Sequence, residues 1–518
     1  MQLRRAVFLV AIPGYLVMIE NPGAAQCLPV NLGSAIAGDP DAFDGFGESV
    51  DVDGQLAVVG APGDDQQGID AGAAYIIEWT GAGWVQRAKL VGADTQAGDE
   101  FGRSVAISGN RVAVGAPRHD VGATDCGAVY EFEYFPGQGW LQAVKLSKGI
   151  AAQRFGSSVA LDADLLGVGC GATAPVAHVY RYVGGIWNHE LEDSAYGPNV
   201  GASYPVAVAV DGNSFVMGVA GWDIVFGPVD NGCVHLFEYN GGSWHPAWTW
   251  VGSSGQQYYG YSLSIDEDHL VIGRYVNAAV VYKRGASGWP STGQFLAAPS
   301  YSVSISADRI AIGTLSVELP LFQESASTWK LVSNNSDSGA QPNDQLGKSV
   351  SVSPGILIAG APATDQAASN AGAAFSFGFT NFQTYCTPKV TTIPNCLARM
   401  TGVGTPSASS PQSFEINAGP VPGSHVGCFF WSSNGPAAVP FQLGYLCVQS
   451  PVIRSNGITC GGTAGVCNGT YKMLLSDLAS KDPSFSAGLN YYVQCWFRDP
   501  GNAFGSSLSN GLRFVVCN

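Results

Sequence analysis

Phe101-Gly102-Arg103-Ser104-Val105, followed by Val114-Gly115-Ala116-Pro117, is a phrase that this chain repeats. It recurs as Phe46-Gly47-Glu48-Ser49-Val50 with Gly60-Ala61-Pro62, and as Leu346-Gly347-Lys348-Ser349-Val350 with Gly360-Ala361-Pro362. Worn copies lie between them: Phe155-Gly156 with Gly169, Tyr204-Pro205 with Gly218, Tyr259-Gly260 with Gly273, and Ser300-Tyr301 with Gly313. In all seven, the later glycine stands 13 residues after the second residue of the opening pair (after Ser300 in the sixth). A spacing that survives while the residues around it drift marks a repeat architecture.

Each copy reads as four strands. The alternation Ser49/Val50/Asp51/Val52 is that of a half-buried strand, and Asp53-Gly54 supplies the tight turn into the next one. After a polar loop the third strand starts on small residues, as in Gly72-Ala73-Ala74-Tyr75 and Gly127-Ala128-Val129-Tyr130. The fourth is expected to begin at a tryptophan: Trp84, Trp140, Trp187, Trp244, Trp289 or Trp329. The seventh copy has no such strand and runs from Phe375-Ser376-Phe377 to Tyr385-Cys386. Residues 28–37, which precede the first copy, are expected to complete that last sheet, because a closed ring leaves no open edge. The expected fold is all-β, a seven-bladed β-propeller over residues 26–383.

The phrases Phe-Gly-x-Ser-Val, Gly-Ala-Pro and Gly-Ala-x-Tyr, with the tryptophan strand, resemble the FG-GAP repeat of the integrin α-like propeller, and most of all its short bacterial secreted form. The likeness covers roughly residues 28–383 and is sharpest in copies one, two and seven. It implies extracellular recognition or adhesion without fixing a ligand. Many members of the family carry a calcium loop between the Phe-Gly and Gly-Ala-Pro elements. Here turns of two or three residues close that interval, so no calcium, other metal or cofactor is expected.

The chain has 518 residues, 12% of them charged, with 68 glycines and a net charge of −16. No stretch concentrates Lys or Arg, which argues against a nucleic-acid partner. Residues 1–25 read as a secretory signal: Arg4 and Arg5, an apolar run over 6–19, then Gly23-Ala24-Ala25. No later segment is expected to span a membrane, and the mature protein is expected to be secreted, extracellular or cell-surface associated. Of the 12 cysteines, Cys386, Cys396, Cys428, Cys447, Cys460, Cys467, Cys495 and Cys517 crowd into the last quarter and are the disulfide candidates. Residues 384–518 are therefore expected to form a small disulfide-rich, β-sandwich-like domain. Its strands are expected near 413–417, 427–431, 445–449, 491–497 and 512–517, with a short helix near 472–479.

Gly-x-Ser occurs in five copies, but a nucleophile elbow needs a further glycine and a turn into a helix. A group repeated in every copy serves the fold, and no catalytic residue is expected. The loops after Gly-Ala-Pro carry Asp64, Asp65, His119, Asp120 and Asp365, which read either as a polar rim or as side chains bonded to nearby backbone. Unrepeated aromatics gather in the degenerate copies: Trp222 with Asp223, Trp248, Trp250, Tyr258 and Tyr259. If one specific ligand site exists, asymmetry favours that arc. The leading expectation is a secreted, non-enzymatic propeller that binds an extracellular protein or glycan. The alternatives are a propeller hydrolase acting on a polysaccharide or lipid-linked substrate, and a purely structural envelope component.

Overall fold

A computed structural model describes residues 30–516, apart from 81–82, 172–174, 195–205, 222–229, 253–257, 276, 326–327, 338, 354, 379–381, 387, 390, 394–395, 405, 409–410, 443 and 487–488. The chain divides into two compact units, one over Pro29–Gly378 and one that includes Phe379–Asn518.

In the first unit the described residues form seven four-stranded antiparallel sheets. Sheets 1 to 3 are Ser49–Asp53, Leu56–Ala61, Ala73–Trp79 and Trp84–Leu90; Ser104–Ser108, Arg111–Ala116, Ala128–Phe135 and Gly139–Leu146; and Phe155–Asp162, Leu165–Cys170, Val176–Val183 and Ile186–Ser194. Sheets 4 to 6 are Ala207–Asp211, Ser214–Val219, Cys233–Asn240 and Ser243–Val251; Tyr259–Asp266, His269–Arg274, Asn277–Lys283 and Gln294–Pro299; and Ser302–Ser306, Arg309–Gly313, Leu319–Ser325 and Thr328–Asn335. Sheet 7 takes Val350–Ser353, Ile356–Ala361 and Ala373–Gly378 from the end of the unit, and Val30–Ala35 from its start pairs with Ala373–Gly378. The first strand of each sheet lies beside the first strand of the next, and that of sheet 7 beside that of sheet 1, so the ring closes.

The repeated phrase is what joins sheet to sheet. A Cβ on Gly60 would come within 1.9 Å of the Gly102 carbonyl oxygen of the next copy, and one on Gly115 within 2.1 Å of that of Gly156. On Gly313 it would meet Gly347, and on Gly360 it would meet Gly47, where the ring closes. The serine of the phrase crosses the same seam: Ser49 Oγ donates to the Gly102 carbonyl and Ser104 Oγ to that of Gly156, each at 2.8 Å. Ser158 Oγ donates in the same way to the Val206 carbonyl. These hydroxyls are thus engaged with backbone. The phenylalanine is fully buried at Phe46, Phe101 and Phe155, and Leu346 takes its place in sheet 7.

The innermost strands have an edge facing the central channel, and side chains of the neighbouring sheet satisfy it. Val50 and Val52 N–H groups donate to Ser349 and Ser351 hydroxyls, Ile107 N–H to Asp51, and Val303 and Ile305 N–H to Ser262 and Ser264. Unpaired buried N–H groups are costly, which accounts for the serines and aspartates that alternate with valine and isoleucine along these strands. Further out, tryptophans lock the seams: Trp84 Nε1 donates to Ser376 of sheet 7, and Trp244 Nε1 to Glu190 of sheet 3. Trp289 departs from the expected strand start. It lies ahead of Gln294–Pro299.

The second unit holds two facing sheets over one core. Its six-stranded sheet contains Phe382–Tyr385, Ser506–Val515, Asn490–Arg498 and Val426–Ser432, and its three-stranded sheet contains Arg399–Gly404, Phe414–Pro422 and Cys467–Leu474. Met400, Phe414 and Tyr471 of the second pack with Trp431, Tyr491 and Phe514 of the first. The helix spans Leu475–Lys481, a few residues later than its expected position, because the strand ahead of it continues to Leu474. Disulfides join Cys386 to Cys447 and Cys396 to Cys467.

Three of the cysteine expectations are corrected. Cys428, Cys460 and Cys495 are free. Cys428 faces Trp496 across the ladder while Cys495 faces Phe429, so alternation sends the two side chains to opposite faces of the sheet, where no bond can form. Cys517 lies outside the described residues.

Candidate functional site

The rim loops are bonded to themselves. Asp65, Asp120 and Asp365 each accept the N–H of the residue five positions on, at 2.8, 2.8 and 2.7 Å. Asp70, Asp125 and Asn370, which supply those donors, have positive φ of 53°, 49° and 50°. Asp and Asn tolerate that backbone better than other side chains. Asp64 is buried and accepts Tyr75 Oη at 2.9 Å and Lys89 Nζ at 2.7 Å. His119 is buried too, its Nδ1 2.6 Å from Asp99 Oδ2 and its Nε2 2.6 Å from Lys145 Nζ. His119 and Asp120, neighbours in sequence, therefore serve separate networks.

Of the aromatic arc, Trp222 and Asp223 lie outside the described residues. Trp248, Trp250 and Tyr259 come together in one groove of about 450 Å³ between sheets 4 and 5, while Tyr258 does not line it. Trp250 forms the floor, 4% exposed, with its ring 4.9 Å from Tyr282 and its Nε1 donating to the Pro290 carbonyl at 3.1 Å. Tyr259 and Tyr282 share a hydroxyl–hydroxyl hydrogen bond beside it. Two rings stand out to solvent at the edges, Trp248 at 37% and Phe295 at 63% exposure. The Arg274 guanidinium lies 5.1 Å from the Phe295 ring centre. Its Nε donates to the Ala278 carbonyl at 2.6 Å, and it has no carboxylate partner among the described residues. Burial lowers the pKa of Arg274, the signature of a cation held in a partly desolvated setting.

Tyr258 belongs to a second cluster, at the mouth of the central channel. Tyr258, Tyr275, Tyr261 and Tyr301 pack in sequence with ring centres 5.0–5.8 Å apart. Glu48 meets Arg103 at 3.1 Å and Lys348 at 3.6 Å on the same rim. Glu48, Arg103, Tyr261, Tyr301 and Lys348 all occupy the variable position of the Phe-Gly-x-Ser phrase. The signal was in the sequence: a fixed place in the repeat carries Glu, Arg, Tyr, Tyr and Lys in these five copies. Within the channel, Asp51 is raised to about 6, by burial above all, although it accepts the Ile107 N–H and the Ser351 hydroxyl.

The buried cysteines of the propeller are packing groups. Burial pushes the Cys170 and Cys233 thiols up to about 12, far from the thiolate form that reacts. Among the described residues no helix is long and apolar enough to cross a membrane.

Comparison with known proteins adds the following. No curated protein matches the chain. The β-propeller domain of Cps50 (Swd1) from Myceliophteria thermophila is 11% identical, with a TM-score of 0.42 over 68% of this chain and 99% of that one. A chain of the mitotic checkpoint complex is 12% identical, with a TM-score of 0.43 over 73% and 99%. The FG-GAP repeat family matches residues 32–77 and 84–132, which contain both diagnostic phrases of the first two copies. The first two copies of the repeat are thus similar to the FG-GAP repeat, and they form two of the seven four-stranded sheets of the closed ring.

Proposed function

We propose that the propeller is a non-catalytic binding module of a secreted protein, and that it takes a saccharide chain in the groove between sheets 4 and 5. One observation carries this reading: Trp248 and Phe295 expose their rings in the groove that Arg274 also lines, a guanidinium without a carboxylate partner among the described residues. Exposed aromatic faces stack on the C–H faces of sugars, and Thr249, Ser291 and Thr292 add hydroxyls beside them. Arg274 favours a sugar bearing a carboxylate or sulfate. The channel mouth is the weaker candidate, since its charges are already paired with one another. Secretion fits the disulfides Cys386–Cys447 and Cys396–Cys467, since such bonds form and persist in oxidising compartments.

The test is a glycan array with the full chain, followed by titration calorimetry on the best acidic and neutral oligosaccharides. Saturable binding that Trp248→Ala and Phe295→Ala each weaken, with unchanged thermal midpoints, supports the reading. Absence of saccharide binding, or binding that both variants retain, overturns it and turns attention to a protein partner.

A further inference from the structure

Sheet 3 carries a cluster that its neighbours do not. Opposite its second strand, His178 occupies the place held by Tyr75 in sheet 1 and Tyr130 in sheet 2: Val59, Val114 and Val168 are the respective ladder partners. The residue facing that position on the fourth strand is Lys89 in sheet 1, Lys145 in sheet 2 and Glu192 in sheet 3. In sheets 1 and 2 the lysine is a built-in cation. Lys89 Nζ holds Asp39 and Asp64 at 2.7 Å each, and Lys145 Nζ holds Asp94 and His119 at 2.6 Å each. Sheet 3 replaces that ammonium with a carboxylate and surrounds it with imidazoles.

A bulge completes the arrangement. His189 and Glu192 are three residues apart and would point to opposite faces of a regular strand. The register shift at Val179/Tyr180 brings His189 opposite Tyr180 and so onto the same face as the His178–Glu192 pair. His178 Nδ1 lies 3.3 Å from His189 Nε2 and 3.5 Å from Glu192 Oε2. Two ligands bound at about 2.0–2.1 Å with tetrahedral angles stand about 3.3 Å apart, so these separations are the edges of a coordination polyhedron. His178 is fully buried, and its Nε2 has no hydrogen-bond partner among the described residues. Its polar contacts thus run through Nδ1 toward the other two groups. His189 and Glu192 are exposed, which leaves an entry path and room for water at a fourth position.

The geometry points to a site for a borderline divalent transition-metal ion, of the zinc class, held by His178 Nδ1, His189 Nε2 and the Glu192 carboxylate. Two nitrogens and one oxygen suit zinc, nickel or copper and not calcium, which takes six or more oxygens. Lys148 is the competitor: its Nζ lies 4.0 Å from Glu192 Oε2, and its solvent-reaching side chain has to turn away when the ion enters. The site lies apart from the aromatic groove and does not depend on the saccharide reading.

The experiment is calorimetric titration of the chelator-treated full chain with zinc chloride, with Co2+ uptake followed by its d–d absorption. One saturable ion per chain is expected, with calcium failing to compete. His189→Ala and Glu192→Gln should each weaken binding by roughly ten- to hundredfold, and Lys148→Gln should tighten it. Both ligand variants change exposed side chains, so their thermal midpoints without metal should match the parent, and they stand in for His178, whose removal would open the core. Absence of saturable zinc uptake by the parent chain, or equal uptake by the parent and both variants, overturns the assignment.

Discussion

Gly115→Ala tests the account of how the ring holds together. The added methyl would lie 2.1 Å from the Gly156 carbonyl oxygen and 2.4 Å from Ser104 Oγ. Both sheets present backbone at that point, so neither can move aside by changing a rotamer. Normal contact requires the seam between sheets 2 and 3 to open by roughly 1 Å, and overpacking of this kind costs about 1–3 kcal/mol. The methyl also displaces the hydroxyl that bonds the Gly156 carbonyl. Against this, alanine lowers the entropy of the unfolded chain, worth about 0.4–1 kcal/mol in favour of folding. The net expectation is a loss of about 2 kcal/mol. Gly83→Ala is the control: nothing lies within 4 Å of its added methyl, so only the entropic gain should remain. Urea unfolding of the full chain, followed by tryptophan fluorescence, reads both as shifts in midpoint at constant slope. If Gly115→Ala unfolds at the same urea concentration as Gly83→Ala, the close approach of sheets at these glycines is wrong.

Three further outcomes follow from the same geometry. Ser49→Ala removes the hydroxyl that satisfies the Gly102 carbonyl and should cost about 1–3 kcal/mol, read as a lower thermal midpoint; no change would mean that the seam bond is dispensable. Asp51, raised to about 6, keeps its proton to higher pH in the folded chain than in the unfolded one. Its contribution to stability is therefore greatest below about pH 4 and is lost as pH rises through about 6. Asp51→Asn removes that titration, so the variant should gain on the parent over this window, and a pH-independent difference would sink the assignment. Reduction of Cys386–Cys447 and Cys396–Cys467, which close loops with separations of 61 and 71 residues, should destabilise the second unit by about 4 kcal/mol per bridge. The propeller has no disulfide among its described residues, and its own melting transition should stay in place with reductant present.

Much of the candidate-site chemistry was hidden in sequence for a definite reason. Trp248 and Trp250 stand on sheet 4 while Tyr259, Tyr282 and Phe295 stand on sheet 5, and only the packing of sheet 4 on sheet 5 brings the two sets into one groove. The exposure that makes Trp248 and Phe295 available, and the burial that makes Trp250 a floor, are properties of that packing. His178, His189 and Glu192 show the same limit more sharply. Their spacing looks random until a one-residue bulge turns His189 to the face of Glu192. Conversely, the acidic rim residues were legible as turn-formers, because a bond from a carboxylate to an N–H five residues on is local.

By itself the sequence determined the repeat, the four-strand unit and the joining of the first strand to the last sheet. These follow from local rules: alternation selects strands, Asp-Gly and similar pairs select turns, and the constant 13-residue spacing from the opening pair to the later glycine marks where each unit recurs. Tertiary structure alone decided which cysteines pair, since strand alternation turns Cys428 and Cys495 away from each other. It also decided which polar groups spend their bonds on the fold and which face solvent. Ser49 and Ser104 look as available in sequence as any hydroxyl, yet each is committed to a carbonyl of the next sheet. Arg274 looks like any other arginine and is left without a carboxylate among the described residues. Hydrogen-bond partners and solvent exposure are set by groups distant in the chain, and no local rule contains them.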